Sequence, residues 1–213
     1  MSGFEDRKEY AKGQLTEEGV RDVVDTMKEW FEQAQTSDPT DYNAMTLSTV
    51  GEDGHPNGRV VLLRSLEEIN GFPAITFYTN YQSRKGRELE GHPHAAATFF
   101  WREWERQLRI RGRVHRMSDE ASDRYFASRP RESRVGAWAS QQSQNVQGRA
   151  ALERQWAEFD ERFGEEVPRP PHWGGYFLIA EEVEFWQGRP GRMHDRLWAR
   201  RSDDGWRLER LQP

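Results

Sequence analysis

Residues 186–196 read WQGRPGRMHDR and place Arg192, His194 and Arg196 at alternate positions after a Gly/Pro turn. Read as a strand, that spacing points all three side chains to one face. Cations in a row repel one another unless an anion lies against them. On the same reading Asp195 points to the opposite face, so an external anion is the better counter-charge. Trp186, at the start of the hairpin, would offer that anion a flat apolar surface. Histidine is also the natural proton acceptor near neutral pH. A charged edge strand neutralised by nearby acids is the plainer alternative.

Other cations stand at the margins of strand-like and helix-like runs. Arg59 opens the apolar stretch RVVLLR and Arg64 closes it. Arg84 and Lys85 follow Ser83 where a short helix would begin, and exposed amide groups plus two cations there would suit a phosphate. A solvated helix start would look the same. Arg129, Arg131 and Ser133 form a second basic cluster in SRPRESRVGAW, for which bare surface charge also stands as a reading. Only four of the 31 basic residues are lysines, so most cations carry the rigid donor fork that fits phosphate and carboxylate. Genome base composition would produce the same bias.

Several chemistries are excluded. No G-x-G-x-x-G follows a strand-like run, and there is neither a Walker lysine loop nor a G-x-S-x-G elbow. The six histidines make no H-E-x-x-H; His92 and His94 flank Pro93, and no metal site is expected. Absence of cysteine removes disulfides and thiolate chemistry. The net charge of −5 argues against a nucleic-acid or membrane-surface binder. The start, MSGFEDRKEYAKG, lacks the apolar core of a signal peptide, and no apolar run reaches membrane-spanning length, so a cytoplasmic protein is expected.

The elements that must position these residues are mostly strands. LTEEGVRDVVDTMKEWFEQAQ has helical spacing, with Thr16 as its expected cap. Strands are expected in NAMTLSTV, RVVLLRSL, AITFYTN, HAAATFFW, RQLRIRGRVHRM, YFLIA, EVEFWQ, RMHDRLWARR and WRLERL, the last two joined through SDDG. In RQLRIRGRVHRM, Leu108, Ile110 and Val114 share one face, opposite Gln107, Arg109, Arg111 and Arg113. Helices are expected at SRKGRELEG, at SDEASDRYFASR (limited by Pro130) and at QNVQGRAALERQWAEFDERFG, where Leu152, Trp156, Phe159 and Phe163 form a stripe. These mostly hairpin-connected strands with three or four inserted helices imply a mainly β fold with peripheral helices. An antiparallel barrel in one domain over 1–213 is expected, with residues 1–14 a mobile segment.

Seven collinear segments, RKEYAKGQL, RVVLLR, FYTNYQSRKGRELE, FFWREWERQLRIRG, YFASRPRESRVGAWASQQS, PHWGGYF and VEFWQGRPGRMHDR, cover most of residues 7–213. Together they resemble the pyridoxamine 5′-phosphate oxidase family, FMN-dependent enzymes that make pyridoxal 5′-phosphate. The resemblance implies a split β-barrel of Greek-key type, working as a homodimer with FMN at the subunit interface. It assigns Arg59, Val60, Val61, Leu62, Leu63, Arg64, Tyr78, Thr79, Arg84, Lys85 and Gln107 to the flavin. Gln142, Ser143, Trp186 and Arg196 would complete that site from the partner chain. The substrate phosphate would fall to Arg64, Tyr125, Arg129 and Ser133, and Arg7 and Tyr10 would cover the substrate.

The resemblance further implies hydride transfer from the substrate's 4′ carbon to FMN, with dioxygen as acceptor and hydrogen peroxide as product. Arg192 and His194 become the catalytic candidates, orienting the 4′ substituent and assisting proton removal. Two phosphorylated ligands in one site account physically for the excess of preplaced cations. One departure stands out: the family usually has Lys where this chain has Arg64. Rival expectations are a split-barrel flavoprotein acting on another substrate, and a non-enzymatic flavin, haem or pyridoxal phosphate binder, but the substrate set is intact here.

Overall fold

The computed structural model describes residues 9–213. Within them an antiparallel sheet is built from β1 (Ala44–Val50), β2 (Pro56–Leu62), β3 (Ser65–Ile69), β4 (Phe72–Asn80), β5 (His94–Trp101), β6 (Arg106–Arg116), β7 (Trp173–Gln187), β8 (Asp195–Ser202) and β9 (Gly205–Arg210). Around it lie α1 (Val23–Ser37), α2 (Arg84–Gly91), α3 (Asp119–Ala127), α4 (Arg131–Ala139) and α5 (Arg149–Arg162). The strand order is β2-β1-β5-β6-β7-β4-β3, with β8 on β7 and β9 on β8. The expectation of a mainly β, antiparallel fold with peripheral helices holds.

β7 is the trunk. Its first half pairs with β4 and its second half with β8, while β6 runs along the whole of it. The change of partner coincides with a bulge: Arg111 faces Glu182, but Gly112 faces Ala180. A side chain at Gly112 would collide with the Ile179 carbonyl, so only glycine lets the strands close here. YFLIA and EVEFWQ are thus one bent strand, not two.

The core joins α1 to the sheet. Trp30 meets Phe185 edge-on at 5.1 Å, and Phe31 meets Phe99 and Trp101 at 4.9 and 5.2 Å. Such pairs add about 0.5–1.5 kcal/mol each beyond the area they bury. The Arg106 guanidinium lies 4.6 Å from the Trp30 ring and 5.2 Å from Trp104, tying β6 to α1. As expected, Leu108, Ile110 and Val114 are buried on one face of β6.

Local expectations fail at three further points. Thr16 caps only the 3-10 turn Glu17–Gly19; the α1 cap is Asp22, whose Oδ1 accepts from the Asp25 N–H at 2.8 Å. RVVLLRSL is not one strand, because after Leu62 the Leu63 and Arg64 N–H groups turn to Asn43 and Thr76 carbonyls. Pro130 ends α3 but also opens α4, a helix the sequence did not announce. α5 then packs on α4, with Trp138 5.2 Å from Phe163, and Arg131 stitches the pair by donating to Asp160 and to the Phe163 carbonyl at 2.7 Å.

Candidate active site

An open cavity of about 450 Å³ lies among β2, β4, α2, α3, α4 and the start of β7. Its walls include Val60, Val61, Leu62, Arg64, Tyr78, Thr79, Lys85, Tyr125, Arg129, Ser133 and Gln142, all expected from the sequence. Three of the lining residues are cations and none is a carboxylate. A concave surface with that charge balance is built for an anion.

Each cation is held by a distinct device. Lys85 sits in the first turn of α2, whose cap is Ser83 Oγ accepting from the Gly86 N–H at 3.3 Å. Its Nζ donates to Thr79 Oγ1 at 3.2 Å and Gln142 Oε1 at 3.3 Å. Burial, and then the neighbouring Arg59 charge, push the Lys85 ammonium below its ordinary pKa. The Arg129 guanidinium lies 4.5 Å from the Trp173 ring centroid. Burial, reinforced by the Arg64 charge, depresses its pKa too, and its Nη1 is buried with no hydrogen-bond partner among the described residues. Unsatisfied buried donors are uncommon, and here an anion would satisfy one. Arg64 stands 5.9 Å from the Tyr125 ring. Tyr125 stacks on Tyr78 at 3.8 Å and 14°, and Tyr78 stacks on Trp173 at 5.4 Å, so one wall is a ladder of parallel rings.

Three expected residues lie off the cavity lining, and two expected from a partner chain make contacts within their own chain. Arg59 and Arg84 do not line the cavity; both pair with Glu88, at 3.1 and 3.0 Å. Leu63 is buried in the core. Ser143, expected from a partner chain, accepts from the Arg84 N–H of its own chain at 3.1 Å. Gln142, expected from the partner as well, is bound to Thr79 and Lys85 of its own chain. Arg131, part of the same basic cluster as Arg129, turns away to α5.

The remaining residues form a second cluster on the outer face of the sheet. Phe100, Gln107, Trp186 and Arg196 are successive cross-strand neighbours on β5, β6, β7 and β8. Glu184, buried, bridges Arg196 at 2.8 Å and Arg109 at 2.9 Å, and this pairing raises the Arg196 pKa. The opening strand reading is corrected here. β8 begins only at Asp195, and Arg192 lies in the turn Pro190–Arg192 with φ +63°, so alternation does not place Arg192 and His194 on one face. Two successive left-handed residues, Gly191 and Arg192, set the turn instead.

His194 packs 4.7 Å from Trp186, and Tyr10 meets both rings edge-on at 5.6 Å. The segment behind Tyr10 is fastened: Glu105 accepts from the Ala11 and Lys12 N–H groups at 2.7 and 2.9 Å, and Asp195 from the Leu15 N–H at 3.1 Å. His194 Nδ1 accepts from the Arg189 N–H at 3.1 Å, so its neutral ring carries the proton on Nε2. Arg7 lies outside the described residues.

The structure therefore gathers the expected residues into two groups, one in the cavity and one in the row around Trp186. Cavity residues that the sequence did not single out include Trp173, Asn80, Ser140, Gly136 and Ala137. The signals for Trp173 were its place before Gly-Gly at a strand start and within the segment PHWGGYF.

A sequence model of the family described as pyridoxamine 5′-phosphate oxidase matches residues 31–163. The chain belongs to the pyridoxamine 5′-phosphate oxidase family. A second model, for the pyridoxine 5′-phosphate oxidase C-terminal dimerisation region, matches residues 173–213 and so includes Trp186 and Arg196 of that row. The pyridoxine/pyridoxamine 5′-phosphate oxidase of Burkholderia lata is 50% identical over 208 residues, 96% of this chain and 95% of that one. Among solved structures, PhzG from Burkholderia lata 383, in complex with tetrahydrophenazine-1-carboxylic acid, has a TM-score of 0.84 at 30% identity, covering 93% of this chain and 98% of that one. A pyridoxamine 5′-phosphate oxidase-related, FMN-binding protein from Nostoc punctiforme shares the fold at 17% identity, with a TM-score of 0.69 and coverage of 88% and 96%.

Proposed function

We propose that this protein oxidises pyridoxamine 5′-phosphate and pyridoxine 5′-phosphate to pyridoxal 5′-phosphate, with FMN as cofactor, dioxygen as acceptor and hydrogen peroxide as product. The observation that carries the reading is the carboxylate-free cavity in which the buried Arg129 Nη1 lacks a partner. Its cations and its flat aromatic wall fit phosphorylated, planar ligands.

FMN, when bound, supplies the acceptor for the hydride leaving the substrate's 4′ carbon and passes the electrons to dioxygen. The chain's part is position and charge. Lys85, Thr79 and Gln142 would hold the phosphate and ribityl side of the flavin. Arg129, Arg64, Tyr125 and Ser133 would hold the substrate phosphate. Arg192 contributes charge beside the reacting group. His194, whose Nδ1 accepts from the Arg189 N–H, would turn Nε2 toward the 4′ substituent and orient it.

The Trp186 row lies on the sheet face that also carries Val60 (68% exposed), Leu62 and Phe100 (52% exposed). Exposed apolar groups on one face favour cover by another surface, and the dimerisation region contributes Trp186 and Arg196 to this row. A homodimer in which the row of one chain completes the cavity of the other unites the two groups. Among the described residues no helix is long and apolar enough to cross a membrane, in keeping with cytoplasmic work.

The PhzG likeness raises oxidation of a phenazine precursor as a second reading. Identity of 50% to the Burkholderia lata oxidase against 30% to PhzG of the same organism favours the phosphate substrates. The test is aerobic turnover of the FMN-loaded protein with each compound. Pyridoxal 5′-phosphate and hydrogen peroxide in equal amounts are expected; turnover of tetrahydrophenazine-1-carboxylic acid alone would overturn the reading.

A further inference from the structure

One buried carboxylate beside the cavity holds two arginines at once. Glu88, on α2, has a side chain only 6% exposed. Its Oε2 accepts from Thr49 Oγ1 at 2.5 Å and Arg59 Nη2 at 3.1 Å; its Oε1 accepts from Asn57 Nδ2 at 2.7 Å and Arg84 Nε at 3.0 Å. Burial alone would raise its pKa, but the bonds from Thr49, Arg84 and Arg59 outweigh burial and hold it below the ordinary value, so Glu88 is ionised at neutral pH.

We infer that Glu88 is the positioning residue of the flavin phosphate site, fixing Arg59 and Arg84 next to Lys85; the inference rests on the FMN reading above. Glu88 engages Nε of Arg84 and Nη2 of Arg59, whose Nη1 donates to the Leu47 carbonyl and Thr49 Oγ1, so Arg84 keeps both Nη groups and Arg59 keeps its Nε–H and one Nη2–H for a second anion. With Lys85, the three cations and one carboxylate leave two net positive charges, matched to a phosphate of about −1.5 to −2. Without Glu88 the three cations would repel one another, and Arg84 would need ordering when the phosphate arrives, while Arg59 would keep only its ties to Leu47 and Thr49. Holding them beforehand removes that cost from binding. Arg84 depends on this most, being 59% exposed with Glu88 as its ion-pair partner.

A purely architectural role must be separated from this one, because Glu88 also ties α2 to the β1–β2 hairpin through Thr49 and Asn57. Asn57→Ser cuts the neutral tie and leaves every charge in place. The experiment titrates apoprotein with FMN and with riboflavin, which lacks the phosphate, by quenching of flavin fluorescence. Glu88→Gln should weaken FMN by about tenfold or more, leave riboflavin within about twofold, and differ from Asn57→Ser, which should change neither. Glu88→Asp, which keeps the charge with shorter reach, should fall between and serves if Glu88→Gln gives no folded protein. Unchanged or tighter FMN binding in Glu88→Gln, or equal losses of FMN and riboflavin, would overturn the inference. Wild-type protein that does not prefer FMN to riboflavin would instead overturn the FMN reading, and the inference with it.

Discussion

The guanidinium of Arg129 lies over the ring of Trp173 at 4.5 Å, with its Nη1 buried and unpaired. The ring fixes the plane of the fork, and the unpaired nitrogen identifies which edge awaits an anion. A hydrogen bond to a charged group is worth about 1.5–3 kcal/mol. Arg129→Met should therefore raise KM for the phosphorylated substrate by about 10- to 100-fold with little change in kcat. Trp173→Leu should lose less, on the order of 1 kcal/mol from the cation–π contact. Steady-state kinetics on both variants checks the ranking.

Lys85 should show opposite effects on stability and binding. Its ammonium is buried, and its neighbours on β4 and beyond α4 are neutral groups, Thr79 and Gln142. Lys85→Met removes a desolvated charge, so the apoprotein should melt no lower than wild type. FMN affinity should fall by about tenfold or more. Calorimetric melting and flavin titration on the same samples would test the pair of effects; a lower melting temperature with intact FMN affinity would contradict it.

Arg64 tests the departure from the family's usual lysine. Its guanidinium lies 5.9 Å from the ring of Tyr125, the residue proposed to share the substrate phosphate with it. Arg64→Lys should shift substrate KM by about tenfold at most, since charge is kept and only fork geometry is lost. FMN affinity should not move. Equal shifts in both would assign Arg64 to the flavin instead.

An acid-sensitive clasp fastens the segment behind Tyr10. Arg210 pairs with Glu17 at 2.8 Å and Asp195 at 2.9 Å and donates to the Leu15 carbonyl at 3.0 Å. The hydrogen bond from Arg210 holds the Glu17 carboxyl down from 4.5 to about 2. A depressed carboxylate contributes stability above its ordinary pKa and loses it as the pH falls through the folded value. The gap in urea midpoint between wild type and Glu17→Gln should thus be constant above about pH 4.5 and close toward pH 2. A gap unchanged at pH 2 would contradict the pairing.

Local chemistry was legible in the sequence; partner changes were not. The helix beginning after Ser83, its extent over SRKGRELEG and the shared face of Leu108, Ile110 and Val114 on β6 follow from neighbouring residues and were anticipated. The break after Leu62 depends on Asn43 and Thr76, and the bend of β7 on Gly112 across the sheet, so no local signal announces either. The Arg192–His194–Arg196 row misled because strand alternation was applied across a turn that only Gly191 and the left-handed Arg192 reveal. Glu88 and Glu184 resemble solvated acids in the sequence, yet each is buried and holds two arginines. The cavity residues were found through resemblance, and the structure adds why they form one site: the lining carries cations with no opposing carboxylate.

The most direct measurement is anaerobic. FMN-loaded protein is mixed with pyridoxine 5′-phosphate, and separately with pyridoxamine 5′-phosphate, while the oxidised-flavin absorbance is followed. The account predicts bleaching by both, reversal on admission of air, and pyridoxal 5′-phosphate in an amount equal to the flavin reduced. A flavin spectrum that neither compound bleaches would contradict it.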